Sequence, residues 1–235
     1  MSKHILIIQN ITHEKPGLLL DVLHDHKIDY TIVDLSKSDP LPNPVDFDAV
    51  FVFGGPQSAN DTDGYIPLEI EFIKEIVKQE IPYFGICLGL QLLVKATDGE
   101  IIPCKQKEIG WWDYEDKLFS IYHSSSYMVD DLLQSINNNI PIFQLHGETV
   151  KLTNKHRLVA ASSGCENQFI RYGKNAYGIQ GHLELTEQML KEWIEIDDDL
   201  KQKDTDYMLI TYEAISREYS IAGKQLFWNF LKMIK

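Results

Sequence analysis

The 235-residue chain reads as an α/β fold: a mostly parallel central sheet flanked by helices, with a helical C-terminal extension. Over the first hundred residues, short apolar runs rich in β-branched residues alternate with amphipathic helical segments, the pattern of parallel strands joined by right-handed crossovers. Between residues 100 and 180 the apolar runs shorten and are separated by turn residues, which reads as further strands, partly antiparallel. From Thr186 onward the spacing turns helical.

Ile5 to Ile8 is a continuous apolar run, expected as a strand buried on both faces. Pro16-Gly17-Leu18 then opens a helix, since proline suits the first helical turn. Ile28 to Leu35 and Asp48 to Phe53 give the second and third strands. Tyr65 to Gln79 is an amphipathic helix with Ile66, Ile70, Ile73, Ile76 and Val77 on its apolar side. Tyr83 to Ile86 is the fourth strand and runs directly into a helix from Leu88 to Ala96. Further strands are expected at Glu100 to Pro103, Ile109 to Tyr114, Ile140 to Leu145, Leu158 to Ser162, Gln168 to Tyr172 and Ala176 to Gln180. Helices close the chain, through Gln188 to Ile194 and a last one over Ile221 to Ile234, with Asp197-Asp198-Asp199 as a solvated turn or helix end. No linker, repeat or low-complexity tract interrupts this order, so residues 1–190 form one α/β unit and 191–235 a helical extension packed on it.

Composition is that of an ordinary globular protein, 44% hydrophobic and 24% charged, which argues against disordered, collagenous or coiled-coil classes. The 22 basic against 35 acidic residues leave a formal charge of −13. Such a field repels phosphate backbones and anionic lipid, so no nucleic-acid or membrane partner is expected. Cys87, Cys104 and Cys165 make no complete disulfide framework and include no CxxC pair, which fits a reducing compartment. The N-terminal apolar run is too short for a signal peptide, and no run approaches the roughly 20 residues that span a bilayer. A cytoplasmic location is expected.

The segment Tyr83-Phe84-Gly85-Ile86-Cys87-Leu88-Gly89-Leu90-Gln91 carries the most chemistry. It is a strand running through G-x-C-x-G into a helix, the form of a nucleophile elbow, whose flanking glycines permit the tight turn that lifts the central side chain out of the sheet. The positive end of the helix dipole favours thiolate at Cys87, and the Leu88 amide points where an oxyanion forms. A cysteine nucleophile needs a base. Of the eight histidines, His182 stands out because it follows a strand-like run and has Glu184 two residues on, which in extended chain falls on the same side. Phe53-Gly54-Gly55-Pro56-Gln57-Ser58 follows the third strand, and its glycine amides, uncovered by side chains, suit an oxyanion or a substrate carboxylate.

FGGPQS at 53–58, GICLGLQLL at 85–93, LHGETV at 145–150 and GIQGHLELT at 178–186 together resemble the class I, triad-type glutamine amidotransferases. The resemblance covers roughly residues 1 to 190. It is nearest to the amidotransferase domain of guanylate synthetases and to free-standing members, which also carry segments like KEIGW at 107–111 and ASSGCENQ at 161–168. It implies a flavodoxin-like sheet. Carried across residue by residue, it makes Cys87 the nucleophile, His182 the base and Glu184 its orienting acid. Backbone amides of Gly55 and Leu88 would hold the oxyanion, and Gly54, Gly55, Gln91, His146 and Gly147 would line the γ-glutamyl pocket. The implied activity is hydrolysis of glutamine to glutamate and ammonia through a γ-glutamyl thioester, needing no metal or other cofactor.

Where the family has an aromatic residue before the histidine and proline after it, this chain has Gly181 and Leu183. The lost proline removes a φ constraint, so packing must set the histidine–carboxylate geometry. His146 is pocket wall in this reading. His4, His13, His24, His26, His123 and His156 show no metal-ligand spacing and are surface or hydrogen-bonded core residues, and Cys104 and Cys165 are structural. No GxxxxGK[ST] loop is present and only about 50 residues follow Thr186, so an ammonia acceptor would be a synthetase on another chain. Two alternatives stay open: a γ-glutamyl peptidase or hydrolase using the same triad, and a catalytically silent binding or regulatory protein.

Overall fold

The computed structural model describes residues 3–122 and 130–234. Its first strand, β1 (His4–Gln9), sends Ile5 and Ile7 to one face of the sheet and Leu6 and Ile8 to the other, all four fully buried. That two-sided burial is why the run lacks alternation. Helix α1 (Leu18–Asp25) starts two residues later than Pro16 suggests. Gly17 precedes it at φ +49°, and a Cβ there would lie 2.0 Å from the Glu184 carbonyl oxygen. That same oxygen accepts from the Leu18 N–H at 2.9 Å, so the helix start is set against the distant 182–185 segment.

Strands β2 (Asp29–Asp34) and β3 (Ala49–Val52) flank β1, helix α2 (Ile66–Lys78) follows, and β4 (Tyr83–Ile86) leads into α3 (Leu88–Ala96). The next strand, β5 (Glu100–Gly110), is continuous where two separate strands are expected, and it ends before Trp111 rather than reaching Tyr114. The expected strand at 140–145 divides instead into β7 (Ile140–Pro141), which pairs with β6 (Ser120–Ile121), and the start of β8 (Gln144–Lys151), which pairs antiparallel with β5. Strands β9 (His156–Ala160), β10 (Phe169–Tyr172) and β11 (Ala176–Ile179) complete the main sheet.

That sheet has seven strands in the order β2-β1-β3-β4-β11-β10-β9. The five from β2 to β11 are parallel, and β10 and β9 add an antiparallel edge. The order reverses at β1, and in such sheets ligands bind outside the carboxyl ends of the strands beside the reversal. One face is covered by α2 and α3, the other by α1 and the C-terminal helices α4 (Glu187–Ile196), α5 (Asp198–Lys201) and α6 (Thr205–Met233). Asp197 caps α5, its carboxylate accepting from Leu200 N. The last helix begins at Thr205, well ahead of the expected Ile221. No helix among the described residues is long and apolar enough to cross a membrane.

Candidate active site

The carboxyl end of β4 is where the chain is most constrained. Cys87, between β4 and α3, has φ +52° and ψ −107°, a conformation that costs a side-chain-bearing residue about 1–3 kcal/mol. Its surroundings impose it. A Cβ on Gly85 would lie 2.4 Å from the Gly89 carbonyl, and one on Gly89 would lie 2.2 Å from the Val52 carbonyl oxygen, so neither elbow glycine admits a side chain. The Cys87 N–H donates to Ile179 O at 2.8 Å, and the buried Tyr83 hydroxyl donates to Gly89 O at 2.8 Å. Strand, turn and helix are thereby tied to the end of β11.

His182 and Glu184 lie just beyond β11, in a segment pinned from both sides. His182 N donates to Phe143 O at 2.8 Å, and the Tyr219 hydroxyl of α6 donates to His182 O at 2.8 Å. Both side chains are 1% exposed, with His182 Nδ1 2.6 Å from Glu184 Oε1. Burial alone would lower the proton affinity of His182, but the Glu184 carboxylate and the neighbouring Cys87 outweigh it and hold the imidazole well above its ordinary range. Its Nε2 has no hydrogen-bond partner. Cys87 is near enough to raise the proton affinity of His182, while Nε2 makes no contact that meets full hydrogen-bond geometry. Trp193 of α4 packs edge-on against the imidazole at 4.9 Å.

The positions lacking the family's aromatic residue and proline are filled otherwise. A Cβ on Gly181 would lie 2.6 Å from Gln144 Oε1 and 2.7 Å from Ile142, so the aromatic's space belongs to β8 and the residues before it. Leu183 is buried in the core, and its carbonyl packs against Gly223 of α6, where a Cβ would come within 2.2 Å of the oxygen.

The Gly54-Gly55 turn follows β3, and a Cβ on Gly55 would be 3.4 Å from the Leu88 side chain, so the two expected oxyanion segments adjoin. Gln91 Nε2 donates to Glu148 O at 3.1 Å, so its amide braces β8 from below. Leu145 O lies 3.9 Å from Cys87 Sγ. A cavity of about 620 Å³ opens over these groups, lined by Gly55, Cys87, Leu88, Gln91, His146 and Gly147 and reaching Asp197 to Asp199. His146 also lines it, with Nδ1 3.0 Å from Glu148 O and Nε2 3.0 Å from Glu108 Oε2. Gly54 stands one residue outside the lining, beneath Glu14.

Three side chains escaped the sequence reading. Glu14, from the loop after β1, has an unpartnered buried Oε2 only 2.1 Å from where a Gly54 Cβ would stand, and that point is 3.3 Å from His182 Cε1. Burial, countered by His182 and reinforced by Glu184, pushes its carboxyl up to about 7. Gln180 is fully buried and reaches Cys87 Sγ at 3.8 Å, and Trp193 completes the set. An apolar or polar letter many residues from the elbow gives no local signal of this convergence. The remaining histidines behave as structural groups: His4 contacts Thr31, His24 contacts Tyr30, His26 stacks on Trp228 and His156 meets Thr97. His13 lines the cavity, and His123 lies outside the described residues. Burial pushes the Cys104 and Cys165 thiols up to about 12, which leaves neither a nucleophile.

A strained elbow cysteine beside a buried histidine–carboxylate pair, at the carboxyl ends of a parallel sheet, is geometry used by cysteine-dependent acyl-transfer proteins. The particular family follows from comparison: the profile described as glutamine amidotransferase class-I matches residues 17–195, and the chain belongs to that family. It is 31% identical over 150 residues to the glutamine amidotransferase-like protein YfeJ of Salmonella typhimurium, covering 62% of this chain and 60% of YfeJ. It is 27% identical over 174 residues to a GMP synthase (glutamine-hydrolyzing) subunit from Methanothermobacter thermautotrophicus, covering 69% of this chain and 83% of that protein. The crystal structure of a glutamine amidotransferase from Thermotoga maritima superposes with a TM-score of 0.87 at 28% identity, covering 99% of both chains.

Proposed function

We propose that the chain hydrolyses the side-chain amide of glutamine to glutamate and ammonia. Cys87 Sγ attacks the γ-carbonyl carbon as its proton passes to His182 Nε2, and the oxyanion is met by the Gly55 and Leu88 amides. The C–N bond breaks as His182 returns the proton to departing ammonia, leaving a γ-glutamyl thioester. Water, deprotonated by the same nitrogen, then cleaves the thioester and restores the thiol. Glu184 on Nδ1 fixes the tautomer that aims Nε2 at the sulfur and stabilises the imidazolium. Gly54, Gly55, Gln91 and the main chain at His146 and Gly147 bind the γ-glutamyl group. The observation that carries this reading is the 2.6 Å buried His182–Glu184 contact with Nε2 left open toward an elbow cysteine. Relatives named as GMP synthase subunits are by that name parts of larger assemblies, which supports an ammonia acceptor on a separate chain.

The cavity's extent beyond the elbow, out to Asp197, Asp198 and Asp199, favours one second reading, a γ-glutamyl peptidase or hydrolase working with the same residues on a bulkier amide. Intact-mass analysis after exposure to a diazoketone glutamine analogue separates them. A single adduct that is absent in Cys87→Ala and suppressed by excess glutamine is expected. Absence of an adduct, together with release of product from a γ-glutamyl anilide, would transfer the assignment to the second reading.

A further inference from the structure

On the far side of the β5–β8 ribbon from the elbow lies a second cavity, of about 690 Å³, and three ligand-type side chains converge at its wall. Glu108 and His146 are directly opposed cross-strand neighbours, which places both on one side of the ribbon. The loop after β9 brings in Cys165, its turn closed by Ser162 N donating to Cys165 O at 2.9 Å and Cys165 N donating to Ser162 Oγ at 3.2 Å. One ligand atom from each of the three residues lies within 4.8 Å of the others, and all three residues are buried.

The polar bookkeeping of this cluster is incomplete. His146 Nδ1 lies 3.0 Å from Glu148 O, which can only accept, and 3.5 Å from the weaker partner Cys104 Sγ; the tautomer that serves the carbonyl puts the proton on Nδ1 and leaves Nε2 a lone pair. That lone pair faces Glu108 Oε2 at 3.0 Å, yet the contact misses hydrogen-bond geometry and both atoms are buried without a partner. With the proton on Nδ1, two lone-pair-bearing atoms face each other there, a contact that is repulsive until a proton or a metal ion stands between them. The other carboxylate oxygen fills the space beside Gly164, where a Cβ would come within 1.5 Å of it. A histidine that gives one ring N–H to a backbone carbonyl and turns the other nitrogen toward a carboxylate, with a buried thiol in the same cluster, is oriented as metal-ligating histidines are.

We propose that Glu108, His146 and Cys165 bind a divalent transition-metal ion of the zinc class, its fourth coordination position open to the cavity. A tetrahedral ion with bonds of about 2.0–2.3 Å spaces its ligands roughly 3.3–3.7 Å apart, within small side-chain adjustments of the arrangement present. Imidazole, carboxylate and thiolate together suit zinc or cobalt better than magnesium or calcium, which prefer all-oxygen shells. The site is independent of the role given to Cys87.

The test is cobalt titration of chelator-treated protein carrying Cys87→Ala, which removes the elbow thiol as a competing ligand. One equivalent of Co²⁺ should bind with a near-ultraviolet thiolate charge-transfer band and tetrahedral visible bands, and one equivalent of Zn²⁺ should displace it. Adding Cys165→Ser should abolish the charge-transfer band, and Glu108→Gln should weaken Co²⁺ binding tenfold or more. No band, or a band that survives Cys165→Ser, would overturn the assignment. Should the Cys165→Ser chain fail to fold by circular dichroism, Glu108→Gln decides: unchanged cobalt affinity overturns the proposal, and the tenfold loss upholds it.

Discussion

Glu69 projects from α2 into the core with no exposure at all, and only one of its oxygens is partnered, accepting from Asn10 Nδ2 at 3.3 Å. Asn10 also donates to Phe53 O at 3.1 Å, so this buried pair braces the turn that presents Gly54 and Gly55. Burial, only partly offset by the Asn10 hydrogen bond, pushes the Glu69 carboxyl up to about 8. A raised folded-state value means the neutral form stabilises the fold. That contribution is complete below the ordinary carboxylate range and is lost as pH climbs through about 8. Glu69→Gln, neutral at every pH and still able to accept from Asn10, should match the parent's urea midpoint near pH 4.5. Above pH 8 it should exceed the parent by a few kcal/mol, since each tenfold difference in proton affinity between the folded and unfolded chain amounts to about 1.4 kcal/mol. Midpoints that stay parallel across that window would show Glu69 already ionised. Such buried carboxylates were illegible in the sequence, since Glu14 and Glu69 look like any surface glutamate until the tertiary fold closes over them. The elbow at Cys87 and the His182–Glu184 pair were each legible because each rests on local mechanics, glycines at a turn and two residues on one side of extended chain. Their association was carried by the family resemblance, and it comes about because β4 and β11 are neighbours in the sheet. Glu108, His146 and Cys165 meet through strand pairing and a loop, which no short spacing records.

At the scale of elements, α6 does what a proline does elsewhere in the family. It fixes the 182–185 segment with the Tyr219 hydroxyl, which donates to His182 O at 2.8 Å and accepts from Leu185 N at 3.2 Å, and with the close seat of Gly223 against Leu183. Tyr219→Phe leaves Leu185 N–H buried without an acceptor and should cost about 1–3 kcal/mol. Gly223→Ala drives a methyl into a backbone oxygen and should displace His182 itself. Urea unfolding and glutaminase turnover check both, the alanine variant losing at least tenfold in kcat with KM changed far less. A folded Gly223→Ala protein with full turnover would show that α6 does not set the histidine. The sequence registers only the apolar end of this helix, from Ile221, because its first half buries Met208, Thr211, Tyr212 and Tyr219 while leaving Ile210 exposed, so its apolar residues do not mark the buried face. β5 reads as two strands for the converse reason. Its middle, Lys105 to Lys107, is exposed on a ribbon outside the main sheet, where no apolar signal is required.

Across the whole molecule, the sheet has two apolar faces, and only one is covered entirely by helices within the family's matched span. The other depends on residues beyond position 195, where that match ends. Phe51 and Phe84 of the sheet meet Phe230 of α6 at ring-centroid distances of 5.1 and 5.3 Å, and Phe227 joins them at 6.1 and 5.9 Å. Lys3 then ties the far end of α6 to the start of the chain, donating to Leu231 O at 2.8 Å and Ile234 O at 2.7 Å. From these contacts we predict that the helices after residue 190 unfold as one cooperative unit with the α/β sheet. A chain ending at Asp204 would expose this aromatic cluster, at about 25 cal/mol for each Å² of apolar surface returned to water, and would also free the segment carrying His182 and Glu184. It should lose its near-ultraviolet circular dichroism and show no cooperative thermal transition. The full chain should unfold in one step, with tryptophan fluorescence and far-ultraviolet signals coinciding. Were the shortened chain to unfold cooperatively and still take up the glutamine analogue at Cys87, α6 would be an appendage, and the packing that stands in for the missing proline would have to come from Phe143 and Trp193 alone.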